Sequence, residues 1–413
     1  MKLGNDDFIP LLFASDITVY SLARAFHEAY GIVSKGYGIA QAGPLRYTQI
    51  IDYEARPKAD AVDVLRGLVC DFAHDHPAQC ILPIASGDNY VQALALAQER
   101  GLPENVCRHY LPFQEMLRLA HKQGFYALCD EAGIAHPQTF VYRESLGGQI
   151  KLDFLAPYIV KPTDSVAWWR HPFEGQRKVH LVAGPDELKA LLSRIYAAGY
   201  PAEMIIQEFL PGPDTDLYVL TQYFDRASRP VLSAAGRVLL EEHTAHGIGN
   251  SAVIMTEQKG GIVDDLANRL ADLLQGQGYR GFASFDLKFD QREQRLKVLE
   301  LNTRQGRGNY YVTGAGANIA ALAVDDIIYQ KRLGPVFATS PFLWSVAPPW
   351  VAKSCSSDLD IQKKAALLVD TGQWANPLDY AADRGLRRWL WLRQNARLQV
   401  ERFKDWRDSE SEL

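Results

Sequence analysis

Gly281-Phe-Ala-Ser-Phe-Asp-Leu-Lys-Phe-Asp290, then a polar turn at 291–295, then Leu296-Lys-Val-Leu-Glu-Leu-Asn-Thr-Arg-Gln-Gly-Arg307, is the stretch that decides the fold. Side chains of a strand alternate between faces. Phe282, Ser284, Asp286, Lys288 and Asp290 therefore share one face, and Ala283, Phe285, Leu287 and Phe289 share an apolar one. On the return strand Val298, Glu300 and Asn302 fall on one side, Leu299 and Leu301 on the other. A register centred on residue 293 sets Asp286 opposite Glu300 and Ser284 opposite Asn302, so two carboxylates and a carboxamide converge. Like charges directly opposite repel unless a cation lies between them. An all-oxygen set of this size, with room for waters and phosphates, suits Mg²⁺ better than zinc. A solvated hairpin with acids facing water is the plainer alternative, since Lys288, Lys297 and Arg304 are near enough in sequence to neutralise the pair. Arg304 and Arg307, three apart beside this set, can grip phosphate or carboxylate bidentately.

The rest of the chain fits an enzyme. Its 413 residues are 47% hydrophobic, 11% aromatic and 23% charged, an ordinary globular mix that excludes disordered, collagen-like and coiled-coil classes. The length predicts two to four domains. With 44 Lys+Arg against 49 Asp+Glu, the net charge of −5 argues against a nucleic-acid partner. The apolar run at 8–14 is too short to span a bilayer and lacks the flanks of a signal peptide, so a cytoplasmic location without an integral membrane segment is expected. Five scattered cysteines, with no Cys-x-x-Cys pair, fit reduced thiols packed in cores. No P-loop is present, and Gly314-Ala-Gly316 is followed by Ile319 where a dinucleotide fingerprint needs its last glycine.

Periodicity predicts a buried strand at 8–14 feeding a helix at 18–30, then a helix at 62–75, a strand at 80–85 and a helix at 89–100. This is a small parallel-sheet domain ending near 112. A helix at 122–132, a strand at 158–161 stopped by Pro162, a helix at 186–198 and a strand at 203–209 ending at Pro211-Gly-Pro213 follow. Strands dominate 217–289 around one helix at 263–275, and 336–413 reads as a helical extension. Lys161 ends its strand where an ammonium would enter a cleft, and Lys122 heads a helix. Asp88, after Ser86-Gly87, either faces the cleft or caps a helix. His243 and His246, in a glycine-containing stretch, suggest a mobile covering loop rather than a metal site.

The order lysine, strand lysine, strand with hinge, acidic residue, then Asp…Glu-x-Asn resembles the ATP-grasp superfamily. Ser15-Asp-Ile-Thr-Val-Tyr20, Lys161-Pro-Thr-Asp-Ser-Val-Ala-Trp-Trp169, Glu300-Leu-Asn-Thr-Arg-Gln-Gly-Arg307 and Asn376-Pro-Leu-Asp-Tyr380 resemble its D-aspartate ligase branch of carboxylate–amine ligases. The resemblance spans essentially the whole chain. It implies an α/β fold with a Rossmann-like domain at 1–112, a small lobe at 113–213, a large lobe with the metal site at 214–335 and an extension at 336–413. It also implies ATP and Mg²⁺ as cofactors. Lys122 and Lys161 would hold ATP phosphates; Gln207, Glu208, Phe209 and Leu210 would line the adenine hinge; Asp214 or Asp216 would bind ribose. Asp286, Glu300 and Asn302 would bind magnesium, with Arg304 and Arg307 as the catalytic arginines. Two departures stand out: Thr163 to Trp169 replaces the usual glycine-rich loop, and Ser284 stands where many members carry arginine.

The implied reaction joins a carboxylic acid or amino acid, such as D-aspartate, to an amine, for which a peptidoglycan precursor is the candidate acceptor. An L-amino-acid ligase, a peptide-tailoring ligase and a silent nucleotide-binding protein are the alternatives, and a homodimer is left open. The final segment carries seven arginines and one lysine between 384 and 407, with Trp389, Trp391 and Trp406 interspersed. It reads either as an arm packed on the body with arginines in water, or as a surface whose Arg387, Arg388 and Arg393 grip a large anionic acceptor.

Overall fold

The structure, a computed structural model, describes residues 3–147, 149–242, 247, 249–338 and 340–410; His243, His246 and the side chain of Trp406 lie outside the described residues. The chain opens with β1 (Phe8–Phe13), α1 (Ile17–Tyr30), β2 (Ser34–Gly38), β3 (Ile51–Ala55), α2 (Val62–Asp75), β4 (Cys80–Ala85) and α3 (Asp88–Glu99). All four strands are parallel, in the order β3-β2-β1-β4. Every residue of β1 is buried, as a strand covered on both faces requires. Asp16 caps α1 by accepting the Thr18 N–H at 2.9 Å, and Gly31 ends the helix in the left-handed region.

Two short helices, α4 (Phe113–Ala120) and α5 (Lys122–Glu131), lead into a second sheet. It contains β5 (Thr139–Tyr142), β6 (Tyr158–Pro162), β7 (His180–Val182) and β8 (Met204–Glu208), in the order β5-β8-β6-β7, antiparallel throughout. Between its strands lie α6 (Ser165–Arg170) and α7 (Pro185–Ala197). The stretch at 163–169 is thus partly helical, and Trp168 is a core residue donating its indole N–H to the Arg177 carbonyl at 3.2 Å.

The third sheet is built on β9 (Leu217–Phe224), β10 (Pro230–Glu241) and β11 (Ser251–Thr256); α8 (Asp264–Gly276) follows, then the hairpin β12 (Gly281–Asp290) and β13 (Arg295–Asn302). Beyond α9 (Tyr310–Gly314) and α10 (Ile319–Ile327) the chain is helical in bulk, with α11 (Pro349–Ala352), α12 (Leu359–Asp370) and α13 (Leu386–Glu410). Three strands absent from the sequence reading, β14 (Val336–Phe337), β15 (Leu343–Ser345) and β16 (Trp374–Ala375), extend the large sheet to β13-β12-β9-β10-β11-β15-β16, with β14 pairing β10. No helix among the described residues is long and apolar enough to cross a membrane.

The extension is fastened to the first sheet by buried charge. Arg388 and Asp383 are wholly buried and 2.7 Å apart. Asp383 also accepts from Tyr20 Oη (2.7 Å), Thr48 Oγ1 (2.9 Å) and the Gln49 N–H (2.5 Å), while Arg388 donates to the Pro44 and Arg46 carbonyls (3.0 and 2.9 Å). Beside it, Arg24 donates to the Pro377 carbonyl at 2.9 Å and His27 Nδ1 meets Tyr380 Oη at 2.8 Å, so α1 and the segment at 376–380 lie together. This corrects the reading of Arg388 as part of an acceptor-gripping surface: it is consumed in docking the arm. Trp391 packs against it, and Arg393 covers the half-exposed Trp389 ring at 4.3 Å.

Removing one partner of a buried pair leaves the other uncompensated and costs about 3–5 kcal/mol. Asp383→Leu should lower the denaturant midpoint strongly, while Arg387→Ala nearby should change it little. Chemical denaturation of both variants checks this.

Candidate active site

The hairpin holds Asp286 opposite Glu300 and Ser284 opposite Asn302, the register read from the sequence. It is not regular. Leu287 pairs with Val298, so Leu299 is an extra, bulged residue. The bulge moves Val298 into the apolar core with Leu287, Leu296 and Leu301, correcting its placement beside Glu300. It also turns the Leu299 carbonyl to Lys122 Nζ (3.1 Å) and Tyr126 Oη (2.5 Å).

Lys122 Nζ lies 2.5 Å from Glu300 Oε2, and Asn302 Nδ2 is 3.4 Å from Asp286 Oδ2. Burial and the neighbouring Glu300 push the Asp286 carboxyl well above its usual range. Glu300 is held below its own, first by Lys122. Unlike charges are thus matched at Glu300 but not at Asp286, and the donors are all oxygen. This set fits Mg²⁺ and would hold it through Asp286, Glu300 and Asn302.

Lys161 reaches the same place from β6. Burial and the Lys122 ammonium pull its pKa down to about 7. Its Nζ donates to Gln207 Oε1 at 2.9 Å; Gln207 Nε2 donates to Tyr126 Oη (3.0 Å) and Thr139 Oγ1 (2.9 Å). A continuous relay therefore runs Lys161–Gln207–Tyr126–Leu299–Lys122–Glu300 across four elements, β6, β8, α5 and β13. Tyr126 was missed in the sequence, although it stands four residues after Lys122 on one helix face.

The hinge residues separate by role. Glu208 ends β8 with its side chain pulled to Arg292 (2.6 Å) and Lys297 (3.1 Å). Lys297 Nζ also lies 3.0 Å from Asp290 and 2.6 Å from Glu293, so Lys297 serves this cluster rather than Asp286 and Glu300. Glu208, Asp290 and Glu293 are near enough to hold a metal, but two cationic side chains already serve that purpose. Leu210 is buried and Phe209 half-buried. Asp216 accepts from Gln291 Nε2 at 2.7 Å, and Asp214 accepts the Glu241 N–H at 2.8 Å. Lys288 donates to the Gly212 carbonyl at 3.3 Å instead of facing Asp286.

Arg304 donates from Nη2 to Asn302 Oδ1 (3.2 Å) and forks onto Asp88 at 2.6 and 3.0 Å. Asp88, the first residue of α3, is thus an ion-pair partner of Arg304. Arg307 pairs with Glu242 at 2.7 Å. Both arginines line an open polar cleft of about 640 Å³ with Asp286, Glu300 and Asn302.

An antiparallel sheet carrying oxygen ligands, faced by a smaller sheet that supplies a lysine, is the architecture of ATP-grasp ligases. The fold matches an L-amino acid ligase from Bacillus licheniformis (TM-score 0.55, 14% identity, 82% of this chain and 77% of that one). It also matches N5-carboxyaminoimidazole synthetase from Staphylococcus aureus complexed with ADP (TM-score 0.60, 14% identity, 83% and 82%). No family model matches the chain. A D-aspartate ligase from Enterococcus faecium (strain Aus0004) is 31% identical over 416 residues, covering 98% of this chain and 97% of its own. The chain belongs to the D-aspartate ligase family of ATP-grasp carboxylate–amine ligases, and is an ATP-dependent enzyme that forms a carbon–nitrogen bond.

Tyr126→Phe removes one hydroxyl from the relay and loosens both lysines. A net hydrogen bond contributes about 1 kcal/mol, so nucleotide affinity should fall about fivefold with the melting temperature little changed. Calorimetric titration with ATP checks both the direction and the size.

Proposed function

We propose that this enzyme activates D-aspartate, or a close relative, as an acyl phosphate and transfers it to an amine of the lysine type on a peptidoglycan precursor. The observation that supports it is the convergence of Asp286, Glu300, Asn302 and Arg304 on one cleft, with Lys122 paired to Glu300 and Lys161 tied to the same set through Gln207 and Tyr126, in a chain related over its full length to a D-aspartate ligase. A carboxylate oxygen is a poor leaving group. Moving the γ-phosphoryl group of ATP onto it gives an acyl phosphate and ADP; the amine then attacks the acyl carbon, phosphate departs and the nitrogen loses a proton.

Transfer needs cations clustered on the phosphates. Lys161 and Lys122 would supply them, aimed by Gln207 and Tyr126. Asp286, Glu300 and Asn302 would hold magnesium, which supplies divalent charge to offset the phosphates. The backbone of Glu208, Phe209 and Leu210 would hold adenine, leaving the Glu208 side chain in its ion cluster, and Asp214 or Asp216 would meet the ribose. Arg304 and Arg307 would take the charge that Ser284, lacking a guanidinium, does not. The division at 112, 213 and 335 into nucleotide-facing lobes and flanking parts accompanies this reading.

Glu300→Gln should cut turnover about 100-fold or more at saturating Mg²⁺ with the fold intact. Lys161→Ala should weaken ATP binding, while Lys151→Ala, on an exposed segment, should not. A phosphate-release screen across D- and L-amino acids, each with a lysine-containing peptide, tests the substrate. Release strongest with D-aspartate supports the reading, and release confined to L-amino acids overturns it.

A further inference from the structure

Strand β4 is an edge of the first sheet, paired with β1 on one side. Its other side is covered by the stretch at 105–111, which runs along it without being a strand. The Ile81 N–H donates to the Asn105 carbonyl at 2.7 Å, and the Cys107 N–H donates to the Ile81 carbonyl at 2.9 Å. Side chains pin this stretch at both ends. Asn105 Nδ2 donates to the Ala73 and His76 carbonyls at 3.0 and 3.1 Å. Further along, His109 Nε2 donates to the Pro83 carbonyl and Tyr110 Oη accepts the Ala85 N–H, both at 2.8 Å.

Between these anchors, Cys80 at the head of β4 and Cys107 set their Sγ atoms 2.8 Å apart, one thiol donating to the other. The two residues are 27 apart in the sequence, so no Cys-x-x-Cys spacing announces the pair. Both are half-buried at the margin of a core, where a small reagent can reach them. Two sulfurs alone do not make a zinc site, and among the described residues no third histidine, cysteine or carboxylate joins them. The hydrogen bond between them pulls the Cys80 thiol below its ordinary pKa and pushes the Cys107 thiol up. Cys80 is therefore the readier nucleophile.

We propose that Cys80 and Cys107 form a dithiol–disulfide site, closed by exchange with a small-molecule disulfide such as oxidised glutathione. Cys80 gives its proton to water, and its thiolate attacks one sulfur of the reagent. The first glutathione thiolate leaves, and a mixed disulfide remains on Cys80. Cys107 then loses its proton and attacks the Cys80 sulfur, and the second glutathione thiolate leaves. The two protein thiols together give up two electrons, and the reagent is reduced to two thiols. Because the fold already holds the sulfurs together, the second step is intramolecular and outruns accumulation of the mixed form. The closed bond ties the stretch at 105–111 covalently to the sheet edge. The inference concerns a part of the chain outside the polar cleft and does not depend on the ligase reading.

The test uses the full-length enzyme, reduced and then freed of reductant, beside Cys80→Ser and Cys107→Ser. Each is incubated with excess oxidised glutathione, alkylated, digested and mapped by mass spectrometry. The parent should yield a peptide pair joined through Cys80 and Cys107, two hydrogens lighter than its separate halves. Cys107→Ser, which lacks the resolving thiol, should carry glutathione on Cys80 at a level about tenfold or more above the parent's. In urea, where the fold no longer holds the sulfurs together, formation of the joined pair should slow about tenfold or more. The joined pair is read on the parent itself, so the outcome stands even where a serine variant folds poorly. If the native parent gives no Cys80–Cys107 pair, or forms it no faster than the unfolded chain, the inference is overturned. Equal glutathione on Cys80 in the parent and in Cys107→Ser overturns it as well.

Discussion

Asp286 and Glu300 face each other across two antiparallel strands, a position in which carboxylates repel, and the surrounding structure is arranged to hold them there. The apolar faces of β12 and β13 are locked in the core through Phe285, Leu287, Val298 and Leu301, so the strands cannot slide apart to relieve the repulsion. A one-residue slip would bury both acids in that core. The bulge at Leu299 reconciles the two demands. It keeps apolar residues inward on both sides of itself and offers an outward carbonyl to Lys122. Through Tyr126 and Gln207 the same carbonyl is tied to Lys161 on the smaller sheet. A local irregularity of one strand thereby sets the spacing between two sheets.

The two ends of the hairpin show what the unresolved charge means. Near the turn, Asp290, Glu293 and Glu208 also lie close together, but Lys297 stands among them and Arg292 beside them. Asp290 is accordingly held well below the usual carboxylate range, first by Arg292. At the other end Asp286 is pushed the opposite way, by burial and by Glu300. One acidic cluster is structural glue and the other is poised for a cation, on strands ten residues long or shorter. Proximity of acids alone does not distinguish them: Glu208, Asp290 and Glu293 each have an ion-pair partner, whereas Lys122 is spent on Glu300 and no ion pair to Asp286 is formed among the described residues.

Much of this was legible in the sequence because it follows from periodicity. Strict alternation in β12 and the polar turn sufficed to pair Asp286 with Glu300, and the continuous apolar runs of β1 and β4 announced a parallel sheet. The bulge was hidden, since alternation carried past residue 299 puts Val298 on the wrong face, and no glycine marks the site. β2 and β3, Ser-Lys-Gly-Tyr-Gly and Ile-Asp-Tyr-Glu-Ala, have compositions too polar to show as strands and are held by backbone pairing to β1. Arg388 reaches the Arg46 carbonyl across 342 residues and Arg304 reaches Asp88 across 216, distances no local pattern encodes.

Those two arginines tie the first sheet's layer to the rest of the chain in two different ways. At the back, Arg388 and Asp383 are wholly out of water, and breaking such a pair costs about 3–5 kcal/mol. At the front, a mostly buried Arg304 meets an Asp88 that is largely solvated, so water screens this pair where it does not reach the other. Exchange of partners at Arg304 is therefore cheap compared with release of the arm. The geometry assigns rigidity to the face away from the cleft and exchangeable charge to the face that lines it. Chemistry at the cleft can draw on the second without endangering the first.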